Sequence, residues 1–149
     1  MHPLRKEDVV IRILVTGSRD WDYALGMVAF YRAMQQFFEP LGQYDYERDA
    51  VTVDLEIVHG AYPRGLDMIA REWCIVNSVP DDPFEPDWEE HGKAAGPIRN
   101  QQMVDSGADA CLGFPLSESR GTLDCMTRAH RASIPVWKCG PEGIEPWTP

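Results

Sequence analysis

The sequence predicts an α/β fold, a Rossmann-like three-layer sandwich with a parallel sheet, on three observations. Short β-branched runs alternate along the chain with segments whose apolar residues recur at helical spacing. The first run, Val9-Val10-Ile11-Arg12-Ile13-Leu14-Val15, is nearly continuous rather than alternating, as in a strand covered by helices on both faces. The first two runs end on glycine, at Gly17 and Gly60, where strand gives way to turn and helix. Right-handed crossovers then put helices on both sides of the sheet, and the predicted strand order is 3-2-1-4-5.

The elements follow in order. After the first strand comes Thr16-Gly17-Ser18-Arg19-Asp20, and from Tyr23 the positions Met27, Phe30, Tyr31, Met34, Phe37, Phe38 and Leu41 describe a helix that Pro40 and Gly42 end. A polar connection, Gln43 to Asp49, leads to a second strand, Leu55-Glu56-Ile57-Val58. Leu66, Ile69, Ala70 and Trp73 mark the apolar face of a second helix, with Asp67 in its first turn, where the helix dipole favours a carboxylate. From Asn77 to Gly96 no periodicity lasts, and Pro80, Pro83 and Pro86 confine any third strand to a short edge position. A loop of that length is functional or disordered; Trp88 and His91 keep the functional reading open, with loop packing as the alternative and the preferred one for His91, whereas most of its acidic residues read as a solvated face. Pro97 suits the start of a third helix running to Val104, which places Arg99 and Asn100 in its first turn. Asp109 to Phe114 reads as the fourth strand, Thr122 to Ala132 as the fourth helix, and Ile134 to Trp137 as the fifth strand. The expectation is one domain over 1–149, with a core at about 9–138 and an irregular tail over 139–149.

A chain of 149 residues buries roughly two thirds of its unfolded surface and needs no metal or disulfide staple. A net charge of −10 makes a poor field for a nucleic-acid backbone, so nucleic acid is excluded as the expected partner in favour of a small molecule. No apolar stretch approaches the roughly 20 residues of a membrane span, and no signal-peptide pattern opens the chain; the expected location is the cytoplasm. Cys74, Cys111, Cys125 and Cys139 are far apart without a C-x-x-C spacing and read as reduced and mostly buried. The histidines are equally scattered, so no metal site is expected.

In the predicted order the chain reverses between the first and fourth strands, and the crevice at their carboxyl ends is the expected ligand site. Two loops meet there, Gly17 to Asp20 and Pro115 to Thr122. They bring glycine backbone, the hydroxyls of Ser18 and Thr122, the guanidinium groups of Arg19 and Arg120, and a helix N-terminus, all of which suit a phosphate. Neither G-x-G-x-x-G nor G-x-x-x-x-G-K-[ST] occurs. Each loop also has a plain reading: Gly with Ser is common turn chemistry, and Gly121-Thr122 could open a helix with Thr122 as cap.

Four ordered segments carry a more specific likeness: Val15-Thr16-Gly17-Ser18-Arg19-Asp20-Trp21; His59-Gly60-Ala61-Tyr62-Pro63-Arg64-Gly65-Leu66-Asp67; Asp87-Trp88 with His91 to Asn100; and Arg120-Gly121-Thr122. From about Ile11 to Val136 the chain resembles the YspA-like branch of the SLOG superfamily, named for the Smf/DprA DNA-processing proteins and the LOG cytokinin-activating hydrolases. The resemblance implies a Rossmann-like domain around a nucleotide or nucleotide-derived ligand. By position it implies Gly17, Ser18 and Arg19 in a first loop, Gly60 and Asp67 in a second, Arg99 and Asn100 in a third, and Gly121 and Thr122 at the phosphate end. Each has its alternative: Arg99 as an exposed helix arginine, Asp67 as a dipole carboxylate rather than a ribose contact, Trp88 as loop packing rather than a stacking face for a base.

The hydrolase branch carries P-G-G-x-G-T-x-x-E, and this chain departs from it. The segment Leu116 to Cys125 lacks the glycine pair and has Cys125 in place of the glutamate, with Asp124 one residue early on another helical face. The functional expectation is therefore a sensor, carrier or sequestering module for a nucleotide-like ligand. The alternative is a nucleoside 5′-monophosphate phosphoribohydrolase, with Arg99 on the phosphate and Asp124 or Asp67 as the acid/base carboxylate. A homodimer or higher homo-oligomer is expected from the broad apolar arc of the first helix, Phe30, Tyr31, Met34, Phe37 and Phe38.

Overall fold

β1 (Ile11–Gly17) lies at the centre of the sheet because both of its faces are apolar. Ile13, Leu14 and Val15 are all fully buried in this computed structural model, which describes residues 9–117 and 119–149. Ile13 and Val15 point into one core with α1 (Tyr23–Phe38) and α2 (Leu66–Val76), while Leu14 points into the other with α4 (Ala95–Asp105) and α5 (Arg120–Arg131). β4 (Leu55–His59) and β6 (Ala110–Phe114) divide their side chains in the same way, Ile57 and Leu112 to the first core, Val58 and Cys111 to the second. The result is an α/β three-layer arrangement, as expected for strands apolar on both faces.

With β5 (Asp81–Pro83), β7 (Val136–Gly140) and β8 (Gly143–Pro146), the sheet order is β5-β4-β1-β6-β7-β8. It differs from the five-strand expectation by β8, which runs antiparallel to β7, pairing Lys138 with Glu145 and Cys139 with Ile144. The tail expected to be irregular thus forms a hairpin. Gly140 and Gly143 close it around Pro141-Glu142, and Gly143 has φ 135°, which a side chain would resist. Gln36 of α1 accepts the Ile144 amide at 2.8 Å and fixes the hairpin to the helical layer. Pro146 ends this edge strand, where its missing N–H costs nothing.

The polar connection contains a second small sheet, β2 (Tyr44–Asp45) against β3 (Ala50–Val51). The segment 77–96 is ordered: β5 pairs parallel with β4 at the sheet edge, and α3 (Trp88–His91) is capped by Asp87, which accepts from the Glu90 amide at 3.0 Å. α4 begins at Ala95, so Arg99 and Asn100 stand in its second turn and not its first; proline is tolerated throughout a first turn and does not mark its first residue. α5 begins at Arg120, which makes Thr122 a buried first-turn residue rather than the cap.

The aromatic arc of α1 is spent within the chain. Phe30, Met34 and Phe38 are buried, and Tyr31 and Phe37 pack against the same core, Phe37 meeting Trp137 edge-on at 5.2 Å. Its exposed apolar residues are Tyr23, Leu25 and Val28. All four cysteines are buried and unpaired, and burial pushes the thiols of Cys74 and Cys125 up to about 12. Among the described residues no helix is long and apolar enough to cross a membrane.

Gly17 is set by packing: a Cβ there would overlap the Leu66 side chain, where α2 sits on the end of β1. Gly17→Val is therefore expected to lower the unfolding free energy by about 1–3 kcal/mol through overpacking, measured by urea denaturation without any ligand.

Candidate functional site

At the carboxyl end of the sheet the neighbouring strands β1 and β6 part. The Ser18 amide still bonds to the Phe114 carbonyl at 3.2 Å, after which one chain segment enters α1 on one face and the other enters α5 on the opposite face. The gap between them opens a cavity of about 630 Å³. Gly17, Ser18 and Arg19 line one side, Gly60 and Asp67 a second, Arg99 and Asn100 a third, and Arg120, Gly121, Thr122 and Asp124 the fourth.

The first loop is folded by its own backbone. Ser18 Oγ accepts the Asp20 amide at 3.1 Å, and the Ser18 carbonyl accepts the Leu66 amide at 3.2 Å. Gly65, with φ 70°, lies against the Arg19 backbone, an approach that only a residue without a side chain permits. The exposed Arg19 guanidinium stands 3.9 Å over the Tyr62 ring, a cation–π contact that holds it at the cavity mouth.

Arg99 is not an exposed helix arginine. From α4 its Nη1 donates to the carbonyls of Gly60 and Phe84, the latter at 3.3 Å, and its Nε donates to Asn100 Oδ1 at 3.1 Å. The group is half-buried, and burial lowers its pKa from the usual arginine value. Gly60 makes the approach possible, because a Cβ there would strike both the Arg99 guanidinium and Asp67 Oδ2. Asp67, 9% exposed, accepts the Tyr62 amide at 3.1 Å through Oδ2. Burial pushes its carboxyl above the usual range, opposed by that amide, His59 and Arg99.

Asn100 joins the last two helices. Its Nδ2 donates to the Gly121 carbonyl at 3.1 Å and to Asp124 Oδ2 at 3.0 Å, and Asp124 Oδ2 also receives Arg128 Nε at 2.8 Å. Asp124 therefore faces the cavity with one oxygen already engaged. Cys125 is fully buried in the second core. The first turn of α5 lines the cavity, so the positive end of its dipole is directed there.

Trp88 is the exception among the residues singled out from sequence. It sits half-exposed on α3 outside the cavity lining, with its Cη2 3.8 Å from where a Cβ on Gly96 would stand. It covers the outer side of a glycine whose other side lines the site, so the stacking face expected for it does not open into the cavity. His91 lies on the same short helix, 3.7 Å from Glu90. Asp20 and Ser119, within the two loops expected at the site but not singled out there, also line the cavity, and Thr16, Gly96, Pro97 and Met103 were missed. Ser119 immediately precedes the helix opened by Arg120, and its Oγ accepts the Leu116 amide at 2.7 Å instead of capping that helix. No group of three or more His, Cys, Asp or Glu side chains among the described residues is placed to hold a metal ion.

Two outcomes follow. Arg99→Ala is expected to cost about 1–3 kcal/mol of stability in the free protein, because it leaves buried carbonyls without their donor; chemical denaturation measures it. Asp67 titrates above its ordinary value of 3.8, so the native state holds a proton that the unfolded chain has released. As pH rises from 3.8 through the raised value, wild type should lose stability relative to Asp67→Asn, and beyond that window the difference should level off, read from urea midpoints at each pH.

No family model matches the chain, and no solved structure matches it. Gene 61 protein of Mycobacterium phage D29 is similar to it, 38% identical over 134 residues that cover 87% of this chain and 96% of that protein. The chain belongs to the family of that phage protein.

Proposed function

We propose that the chain binds a nucleotide or nucleotide-derived ligand in this cavity, as a sensor, carrier or sequestering module, with the phosphate toward Arg120 and the first turn of α5. One observation carries the reading. The glycine loop after β1 and the N-terminus of α5 face each other across the point where the sheet order reverses, and Arg19, Arg99 and Arg120 all line the same cavity. Asp20, Asp67 and Asp124 line the cavity as well, but Asp124 is engaged by Asn100 and Arg128 and burial pushes the Asp67 carboxyl toward its neutral form, which leaves the arginine heads for a small anion. The volume falls within the range of pockets for small molecules. The resemblance to the SLOG superfamily supports the same ligand class.

Arg120 is the clean probe, being exposed where Arg99 is structural. Arg120→Ala should weaken binding of nucleoside monophosphates by about tenfold, the loss of one charge-assisted hydrogen bond, with an unchanged melting temperature. Calorimetry with AMP, GMP, CMP and UMP measures it; undiminished affinity moves the phosphate away from α5. The absence of binding by all four, together with no co-purifying nucleotide in native mass spectrometry, overturns the proposal.

A second reading, hydrolysis of the N-glycosidic bond of a nucleoside 5′-monophosphate, is favoured by Asp67 alone. Its buried carboxyl is pushed toward the protonated form that a general acid requires. In that case free base accumulates on incubation with nucleoside monophosphates, and Asp67→Asn abolishes the release, as followed by chromatography.

A further inference from the structure

His59 ends β4 and is 1% exposed, yet both of its ring nitrogens are committed. Nε2 lies 2.7 Å from Asp81 Oδ2 on the edge strand, and Nδ1 lies 3.1 Å from the backbone nitrogen of Ala61. An amide can only donate, so Nδ1 is the acceptor and Nε2 carries the proton that Asp81 receives. Ala61 is held at φ 61°, a left-handed conformation that a residue with a Cβ adopts at a cost. The hydrogen bond from Ala61 to His59 is what opposes that cost.

The loop that this bond shapes is part of the cavity wall. On one side of Ala61 the Gly60 carbonyl accepts from Arg99 Nη1; on the other the Tyr62 amide donates to Asp67 Oδ2. The His59 carbonyl in turn accepts the Phe84 amide at 2.9 Å, and the Phe84 carbonyl is the second acceptor of Arg99. His59 is not itself among the residues lining the cavity, but it directly precedes Gly60, which is, and it stands behind both Asp67 and Arg99.

We propose that His59 is a pH-sensitive positioning residue for the cavity: unprotonated at Nδ1 it holds Ala61 left-handed and keeps Asp67 and Arg99 in place, and a proton on Nδ1 releases the loop. The inference rests on the cavity being the binding site. A proton on Nδ1 turns the acceptor into a donor facing another N–H, so the bond to Ala61 is lost and the strained residue relaxes. The charged groups around the ring are Asp81 on β5, Asp67 on α2 and Arg99 on α4; β1, the other neighbour of β4, presents Val15 and Thr16 at this level. The Ala61 amide, which faces Nδ1 as a donor, leaves no room there for a second N–H.

The test begins with the free full-length chain. Nitrogen-15 correlation spectra assign the His59 tautomer, and hydrogen exchange, corrected for intrinsic rates, follows the Ala61 and Tyr62 amides from about pH 8 to about pH 5. The expected result is an Nε2–H tautomer at the upper end, and protection of both amides that falls by about tenfold or more as the ring takes its second proton. A proton on Nδ1 at about pH 8 overturns the proposal, as does a ring that stays neutral, or protection that stays unchanged, down to about pH 5.

Two variants then separate the nitrogens. His59→Asn keeps an oxygen near the position of Nδ1 for the Ala61 amide, whereas His59→Gln keeps a donor reaching toward Asp81 but no acceptor for Ala61. Ala61 amide protection should survive in the asparagine variant, independent of pH, and be lost by about tenfold or more in the glutamine variant. AMP affinity should follow the same division, and equal behaviour of the two variants in both measurements overturns the proposal. If wild type binds no nucleotide at any pH, the ligand reading fails by itself, and the exchange data on the free protein still decide the role of His59.

Discussion

A guanidinium group withdrawn from water must be given acceptors, and that requirement at Arg99 organises the carboxyl end of the sheet. Arg99 reaches from α4 to two carbonyls, one after β4 and one after β5, and so fixes the ends of neighbouring strands against a helix on one face. Gly60 has no side chain because the guanidinium and the Asp67 carboxylate occupy that space. Asn100, the next residue, continues the connection to α5 through Gly121 and Asp124. Two adjacent residues of one helix thereby join three sides of the cavity, whose charged groups are already supported from behind.

The same arrangement explains why the residues of a binding site and those of a scaffold are hard to tell apart here. Gly17 serves Leu66, Gly65 serves Arg19, and Asp124 serves Asn100 and Arg128, yet Gly17 and Asp124 also face the cavity. A buried polar group near a ligand site needs its own partners whether or not a ligand is present. Among the described residues, the groups in this wall that carry no such internal hydrogen bond include the exposed heads of Arg19 and Arg120.

Much of this was legible in the sequence. The continuous apolar run of β1 and the glycines after β1 and β4 announced an α/β sheet with a crevice at its carboxyl end, and α1 was readable from its 3.6-residue spacing together with Pro40 and Gly42. The misses have local causes. Pro83 closes the short edge strand expected there, whereas the tail was read as irregular although its Pro146 closes another edge strand, and Pro97 was read as the first residue of a helix although it sits further inside a first turn whose amides need no partner. Trp88 was read by residue type, whereas its place depends on how α3 packs on Gly96, a tertiary fact without local signature. His59 was quoted as part of a motif and given no task, because its two hydrogen bonds join Asp81, far along the chain, to a backbone amide that no side-chain pattern reveals.

The two prolines that close the edge strands also limit how the sheet can grow. On one side β5 presents Asp81 and Asp82 and ends in Pro83; on the other β8 presents Glu145 and ends in Pro146. A sheet edge is a template for another strand only where it offers an uncharged ladder of free N–H and C=O groups. Both edges here carry carboxylates and a residue that cannot donate, so a strand from a second molecule would be repelled by like charge and left with a gap in its ladder. The hairpin at the end of the chain thus does for the outer side of the sheet what the acidic segment after α2 does for the inner one, terminating it against aggregation.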